Sequence, residues 1–100
     1  MNNQKVLNLL GLAMRARKIV SGEDLTVQAI RSNQAEVVFL AKDAGKNTQK
    51  KIKNKCIFYN IPVFDCFTAE EITQAIGKPR MVLGILDKGF ASRIEELISG

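Results

Sequence analysis

The 100-residue chain has no histidine and no tryptophan, and only one tyrosine, two prolines and two cysteines. Without histidine, no serine–histidine or cysteine–histidine nucleophile pair can form, and the commonest nitrogen ligand for a metal is missing. Cys56 and Cys66 have no second pair to complete a zinc-binding spacing. Neither a GxGxxG nor a P-loop string occurs. The paired acids Glu70-Glu71 and Glu95-Glu96 are sequence neighbours, so the members of each pair diverge around a helix and read as solvated surface. The expectation is a protein that is not an enzyme and needs no cofactor; only a carboxylate- or lysine-based chemistry without a marked site stays open. No apolar run approaches the roughly 20 residues that span a bilayer. The N-terminal segment lacks the basic start, apolar stretch and cleavage site of a signal peptide. The chain therefore reads as cytoplasmic, with no membrane partner. In a reducing compartment both thiols read as small core residues, with a Cys56–Cys66 disulfide left open.

What is present fits one domain, residues 1–100, with 46% hydrophobic and 25% charged residues. The formal charge of +5 is unevenly spread. Met1 to Lys55 hold eleven Lys and Arg against four Asp and Glu, whereas Cys56 to Gly100 hold four against six. The basic half has the asymmetry of a surface that faces nucleic acid, although solubilising lysines would also account for it.

Apolar spacing divides the chain into alternating helices and strands. Gln4 to Arg17 is an amphipathic helix striped by Val6, Leu9, Leu10, Ala13 and Met14. Gly11 within it costs about 1 kcal/mol against alanine and suggests close packing. Lys18 to Ser21 is a short strand, and Gly22 to Asn33 a second helix with Leu25, Ala29 and Ile30 inward and Val27 beside its polar face. Glu36 to Ala41 is a strand covered on both sides. Asp43 is placed to cap a third helix from Ala44 to Tyr59. Ile61 to Phe67 is a strand that Pro62 confines to an edge or a strand start. Thr68 and Glu71 form a capping box for a fourth helix ending at Ile76. Gly77-Lys78-Pro79-Arg80 is a turn, Met81 to Leu86 a buried strand, and Phe90, Ile94, Leu97 and Ile98 stripe a last helix. The expected fold is α/β: a three-layer α/β/α sandwich around a four-stranded mixed sheet.

One stretch carries most of the functional signal: RARKIVSGEDLTVQAIR, Arg15 to Arg31. Gly22 stands at a helix start, where unpaired N–H groups and partial positive charge favour anions and a missing Cβ allows close approach. Asp24, Gln28 and Arg31 share one face of that helix. A plainer reading makes Ser21 and Asp24 a capping box and the polar trio a solvent face. Lys46, Lys50 and Lys53 share a face of the third helix, while Lys51 and Lys55 point elsewhere; they suit a solvated face or non-specific phosphate attraction.

The strings RARK-x-x-SGED and AKDA-x-x-NT, followed by IPVF, QAIGKPR and MVLGILDKGFASRI, resemble the bacterial YlxQ-type branch of the ribosomal protein L-seven-Ae family from Leu7 to Ile94. The resemblance implies an α/β/α sandwich that binds kink-turn RNA, a bent helix–bulge–helix with tandem sheared G·A pairs. It implies ribosomal or structured non-coding RNA as partner. In the family's pattern a glycine and the start of the second helix enter the groove at the kink. Here these positions are Gly22, Glu23 and Asp24, with Ser21 beside them and Gln28 and Arg31 further along the helix. A loop corresponding to Ile76, Gly77, Lys78, Pro79, Arg80 and Met81 would cover the flipped-out bulge nucleotides. Its apolar faces would be those of Ile76, Pro79 and Met81, while Lys18, Lys78 and Arg80 would pair with phosphates. The chain departs from many members at Asp24, Leu25 and Gln28. Nothing in the sequence demands more than a monomer.

Overall fold

The computed structural model describes residues 2–100. Five helices alternate with four strands: α1 (Asn3–Arg15), β1 (Ile19–Ser21), α2 (Glu23–Arg31), β2 (Val37–Leu40), α3 (Lys46–Tyr59), β3 (Val63–Phe64), α4 (Ala69–Ile76), β4 (Val82–Ile85) and α5 (Lys88–Ser99). The sheet order is β1-β4-β2-β3. β4 pairs antiparallel with both β1 and β2, and β2 pairs parallel with β3, so the sheet is mixed. Helices α2 and α3 cover one face, and α1, α4 and α5 pack together over the other. This is the expected three-layer sandwich with a four-stranded mixed sheet.

The two central strands explain the continuous apolar runs. Every residue of β2 and β4 is buried, because helices lie on both sides of them. Phe39 at the centre stacks on Phe67 and tilts against Phe64, with ring centroids 5.9 and 5.5 Å apart. Gly84 in β4 lies beneath α2, where a Cβ would make ordinary contact with Val20, Ala35 and Thr26 at 3.4–3.7 Å. Among the described residues, Thr26 on the underside of α2 is the buried polar one, and its hydroxyl has no hydrogen-bond partner there.

Several sequence expectations need correcting. The third strand is two residues long, not Ile61 to Phe67. Pro62 has no N–H for the ladder, and only its carbonyl pairs, accepting from the Val38 amide at 2.9 Å. Helix α2 buries Thr26, Val27, Ala29 and Ile30, so Val27 belongs to the core and Leu25 is 53% exposed. At 100° per residue Leu25 lies on the flank of that stripe, beside Ala29, and not at its centre between Thr26 and Ile30. The Ser21–Asp24 capping box does not form: Gly22 is the N-cap of α2, without a side-chain cap bond. Asp43 does not cap α3 either. Gly45 does, and Asp43 Oδ1 instead accepts from the Ala69 amide at 2.8 Å, at the start of α4. The Thr68–Glu71 capping box is present as expected. Both cysteines are free, Cys56 buried and Cys66 half-buried. Burial pushes the Cys56 thiol up to about 11, which keeps it a neutral core residue at ordinary pH.

Gly11 marks the expected close packing, since a Cβ there would come within 3.0 Å of the Ala75 carbonyl oxygen in α4. Gly11→Val should lower stability by about 1–3 kcal/mol despite valine's better helix propensity, because the α1–α4 contact must open. Urea unfolding measures this, and an unchanged or raised midpoint would show that the helices have slack there.

Candidate nucleic-acid interface

Strand pairing decides which segments meet. Because β1 and β4 are antiparallel, the end of β1 lies beside the start of β4: Ser21 pairs with Leu83, and the Gly22 amide donates to the Val82 carbonyl at 2.9 Å. Leu40 at the end of β2 pairs with Val82, and the Ala41 amide donates to Met81 at 2.7 Å. The β1–α2 junction, the β2–α3 loop and the Gly77–Met81 loop therefore converge at one end of the sheet, called here the Gly22 end. Arg80 ties two of them together. Its Nε donates to Ser21 Oγ at 3.2 Å, its Nη1 to the Pro79 carbonyl at 2.9 Å, and its amide reaches Thr73 Oγ1 at 3.4 Å.

The remaining loop is held from within. Gln49 Nε2 donates to the carbonyls of Ala44 at 2.7 Å and Lys42 at 3.3 Å. The Lys42 amide donates to Phe67 at 2.8 Å, which fixes the loop against the chain leaving β3. Such internal bonding orients the surface before any ligand arrives, so little ordering is needed on binding.

Two helices begin here side by side, α2 at Glu23 and α3 at Lys46, each with a glycine N-cap and no capping side chain. Their first N–H groups lack the side-chain oxygens that usually cover them, and each helix brings the positive end of its dipole. α3 also has no acidic residue in its first turn. Lys42, Lys46, Lys50 and Lys78 are exposed around these starts, and none is in an ion pair among the described residues. Glu23 is neutralised by Lys51 across the α2–α3 contact, at 3.2 Å. Lys53 is likewise occupied by Asp65 at 3.0 Å, so the lysine face expected on α3 reduces to Lys46 and Lys50. Leu25 and Met81 add two half-exposed apolar side chains to the same end.

Of the residues singled out in the sequence, Ser21, Gly22, Glu23, Asp24, Gly77, Lys78, Pro79, Arg80 and Met81 are brought together. Gln28, exposed, sits one turn further along α2. Three are not placed as expected. Ile76 is only 6% exposed and packs in the core, so its side chain offers no surface to a ligand. Lys18 precedes β1 and lies roughly 13 Å from Gly22 along an extended chain. Arg31 ends α2, roughly 12 Å from its start at helical rise. Both lie toward the opposite end of the sheet. Lys42 and Leu25 were missed. Lys42 follows a buried strand directly, which was the available signal; Leu25 was hidden by assigning its apolar side chain to the core.

A scan along the chain matches residues 4–94 to the ribosomal protein L7Ae/L30e/S12e/Gadd45 family. The chain belongs to this family. It is 54% identical to the RNA-binding protein YlxQ of Enterococcus faecium over 99 residues, covering 99% of this chain and 96% of that one. It is 41% identical to the RNA-binding protein YlxQ of Bacillus subtilis, covering 98% and 99%. Among solved structures, the Giardia lamblia 15.5kD RNA binding protein superposes with a TM-score of 0.81 at 18% identity, covering 97% of this chain and 84% of that one, and so shares the fold. The L7Ae-like α/β fold and the YlxQ-type branch are thus established, and these relatives are named for binding and not for catalysis.

Gly22 has φ +94° and ψ +156°, a backbone region essentially closed to other residues. Space is not the obstacle, since a Cβ would meet only the flexible Arg80 side chain at 3.8 Å. The sequence expectation of a glycine needed purely for close approach is revised: the backbone itself requires it. Gly22→Ala should therefore cost about 1–3 kcal/mol in urea unfolding, and a wild-type midpoint would show that this turn relaxes without strain.

Proposed function

We propose that the chain is an RNA-binding protein and that its Gly22 end recognises a kink-turn. The single observation behind this is the side-by-side start of α2 and α3 under glycine caps, with the Gly77–Met81 loop bonded alongside. Two sets of uncovered backbone amides, flanked by Lys42, Lys46, Lys50 and Lys78, suit two phosphate runs that approach each other, as they do where an RNA helix bends sharply. The names and family of the relatives support RNA as the ligand class.

The proposed roles follow from chemistry. Gly22 lets the RNA backbone or a base edge come close to the amides of Glu23 and Asp24. Asp24 is exposed and its carboxylate makes no hydrogen bond or ion pair among the described residues, so it is available to accept from base N–H groups such as those on a guanine edge. An acid is tolerated there because the helix dipole favours it in the first turn. Leu25, Pro79 and Met81 offer apolar contact to nucleotides turned out of the stack. Arg80, oriented by Ser21, and Lys78 supply phosphate contacts. Kinking opens a groove that a regular RNA duplex keeps too narrow for side chains, which accounts for a preference for bent RNA over straight. A ribosomal or structured non-coding RNA would fit, and a monomer suffices. A module of this fold that contacts protein and reads no RNA is the alternative.

Gel-shift titration of a kink-turn RNA and a straight duplex of equal length should show about tenfold or tighter binding to the kink-turn, at micromolar dissociation constant or below. Asp24→Ala should narrow that preference. Equal affinity would reduce the protein to a general polyanion binder, and no binding to either RNA would favour the protein-contact alternative.

A further inference from the structure

A second basic tract lies away from the Gly22 end. Arg15, Ala16, Arg17 and Lys18 are four consecutive exposed residues at the end of α1 and in the turn that leads to β1. The Leu86 amide donates to the Lys18 carbonyl at 2.8 Å, which places this turn beside the β4–α5 junction and Lys88. The Glu36 amide donates to the Ile85 carbonyl at 2.7 Å, bringing in the end of α2 with Arg31. Arg15, Arg17, Lys18, Arg31 and Lys88 are all exposed, and none is in an ion pair among the described residues. The acids that accompany them are Glu36, Asp87 and Glu71, which lines the groove between α1 and α4 with Arg15. Asp87 Oδ2 is occupied in accepting from the Phe90 amide at 2.9 Å, and Glu71 Oε1 in accepting from the Thr68 amide at 2.9 Å. The Gly22 amide bonds to Val82 at one end of the β1–β4 pair and the Lys18 carbonyl to Leu86 at the other, so the two basic ends lie at opposite ends of the sheet.

The backbone adds an independent observation. Helix α1 closes with the Lys18 amide bonded to the Ala13 carbonyl at 2.8 Å and the Arg17 amide to Met14 at 3.1 Å, which puts Arg17 at φ +60°. This left-handed position favours glycine or asparagine. Positive φ is otherwise found at Asn33, Asn60, Gly22 and Gly77, the residue types that tolerate it. Arg17 is the exception: a strained position holds a cation aimed at solvent.

We infer that this Lys18 end is a second RNA surface that grips the phosphate backbone of a separate duplex, so that the protein bridges two RNA segments. The bridge rests on the RNA reading of the Gly22 end for its first ligand. The second surface has exposed cations and no uncovered helix start, which suits phosphate attraction without sequence readout. Duplex RNA is favoured over an acidic protein because the cations are spread over three neighbouring turns, and the large exposed apolar side chain near them, Leu12, sits at the margin beside Arg15 and not among them.

The test uses the full chain saturated with unlabelled kink-turn RNA, to which a labelled straight RNA duplex is added at about 100 mM salt. Sedimentation velocity should show one protein carrying both RNAs. The triple variant Arg15→Gln, Arg17→Gln, Lys18→Gln should weaken duplex capture about tenfold or more while kink-turn affinity stays unchanged. Arg17→Gly should also weaken capture while raising thermal stability, which separates loss of charge from loss of fold. No ternary complex, or equal capture by the triple variant, would overturn the inference. So would a triple variant that loses kink-turn affinity in parallel, since the two ends would then serve one RNA. If the protein binds no kink-turn but holds the duplex through these three residues, the second surface stands and the reading of the Gly22 end falls.

Discussion

The antiparallel pairing of β1 with β4 is the constraint on which the candidate site depends. Residues 21–24 and 77–81 are far apart in sequence, and neither segment is a binding surface alone. Ser21 opposite Leu83 and the Gly22 amide on Val82 bring them together, and Arg80 then reaches Ser21. The same register sends the α1–β1 turn to the other end of the sheet, beside Leu86. One pairing therefore both assembles the Gly22 end and separates it from the basic tract Arg15–Lys18.

At the Gly22 end the charge is organised through the backbone as much as through side chains. Glycine caps leave the starts of α2 and α3 uncovered, and the Lys51–Glu23 pair removes a negative charge that would oppose a phosphate. An exposed pair of this kind contributes little to stability, so its value lies in shaping the local field. The cost of the arrangement falls on the turn at Gly22, whose backbone angles few residues can adopt. Beneath it, the unpartnered hydroxyl of Thr26 is buried where α2 comes close to Gly84.

Much of the fold was legible because its strongest signals are local. The buried runs of β2 and β4, the Thr68–Glu71 box and the edge position implied by Pro62 all depend on neighbouring residues. Legibility failed where a long-range partner decided the outcome. Ser21 fits a capping box by spacing, but Arg80, brought by the sheet, takes its hydroxyl. Asp43 fits a cap for α3, but the Ala69 amide arriving from β3 claims it. Leu25 was assigned inward because it is apolar, whereas the true inward stripe runs through Thr26 and Val27. The core of the site, Gly22 to Asp24 with Gly77 to Met81, came from family resemblance and not from periodicity. Arg31 was joined to it by a shared helix face and Lys18 as a phosphate contact, because neither a shared face nor sequence proximity says which end of a helix or strand a residue occupies.

The central claim is that RNA meets the starts of α2 and α3 together with the Gly77–Met81 loop. Amide chemical-shift mapping of the ¹⁵N-labelled protein titrated with a kink-turn RNA tests it most directly. The largest shifts should fall on Gly22 to Leu25, Lys46 to Thr48 and Gly77 to Met81, as one contiguous surface. Shifts concentrated on α1, α4 and α5, with those three segments unmoved, would contradict it.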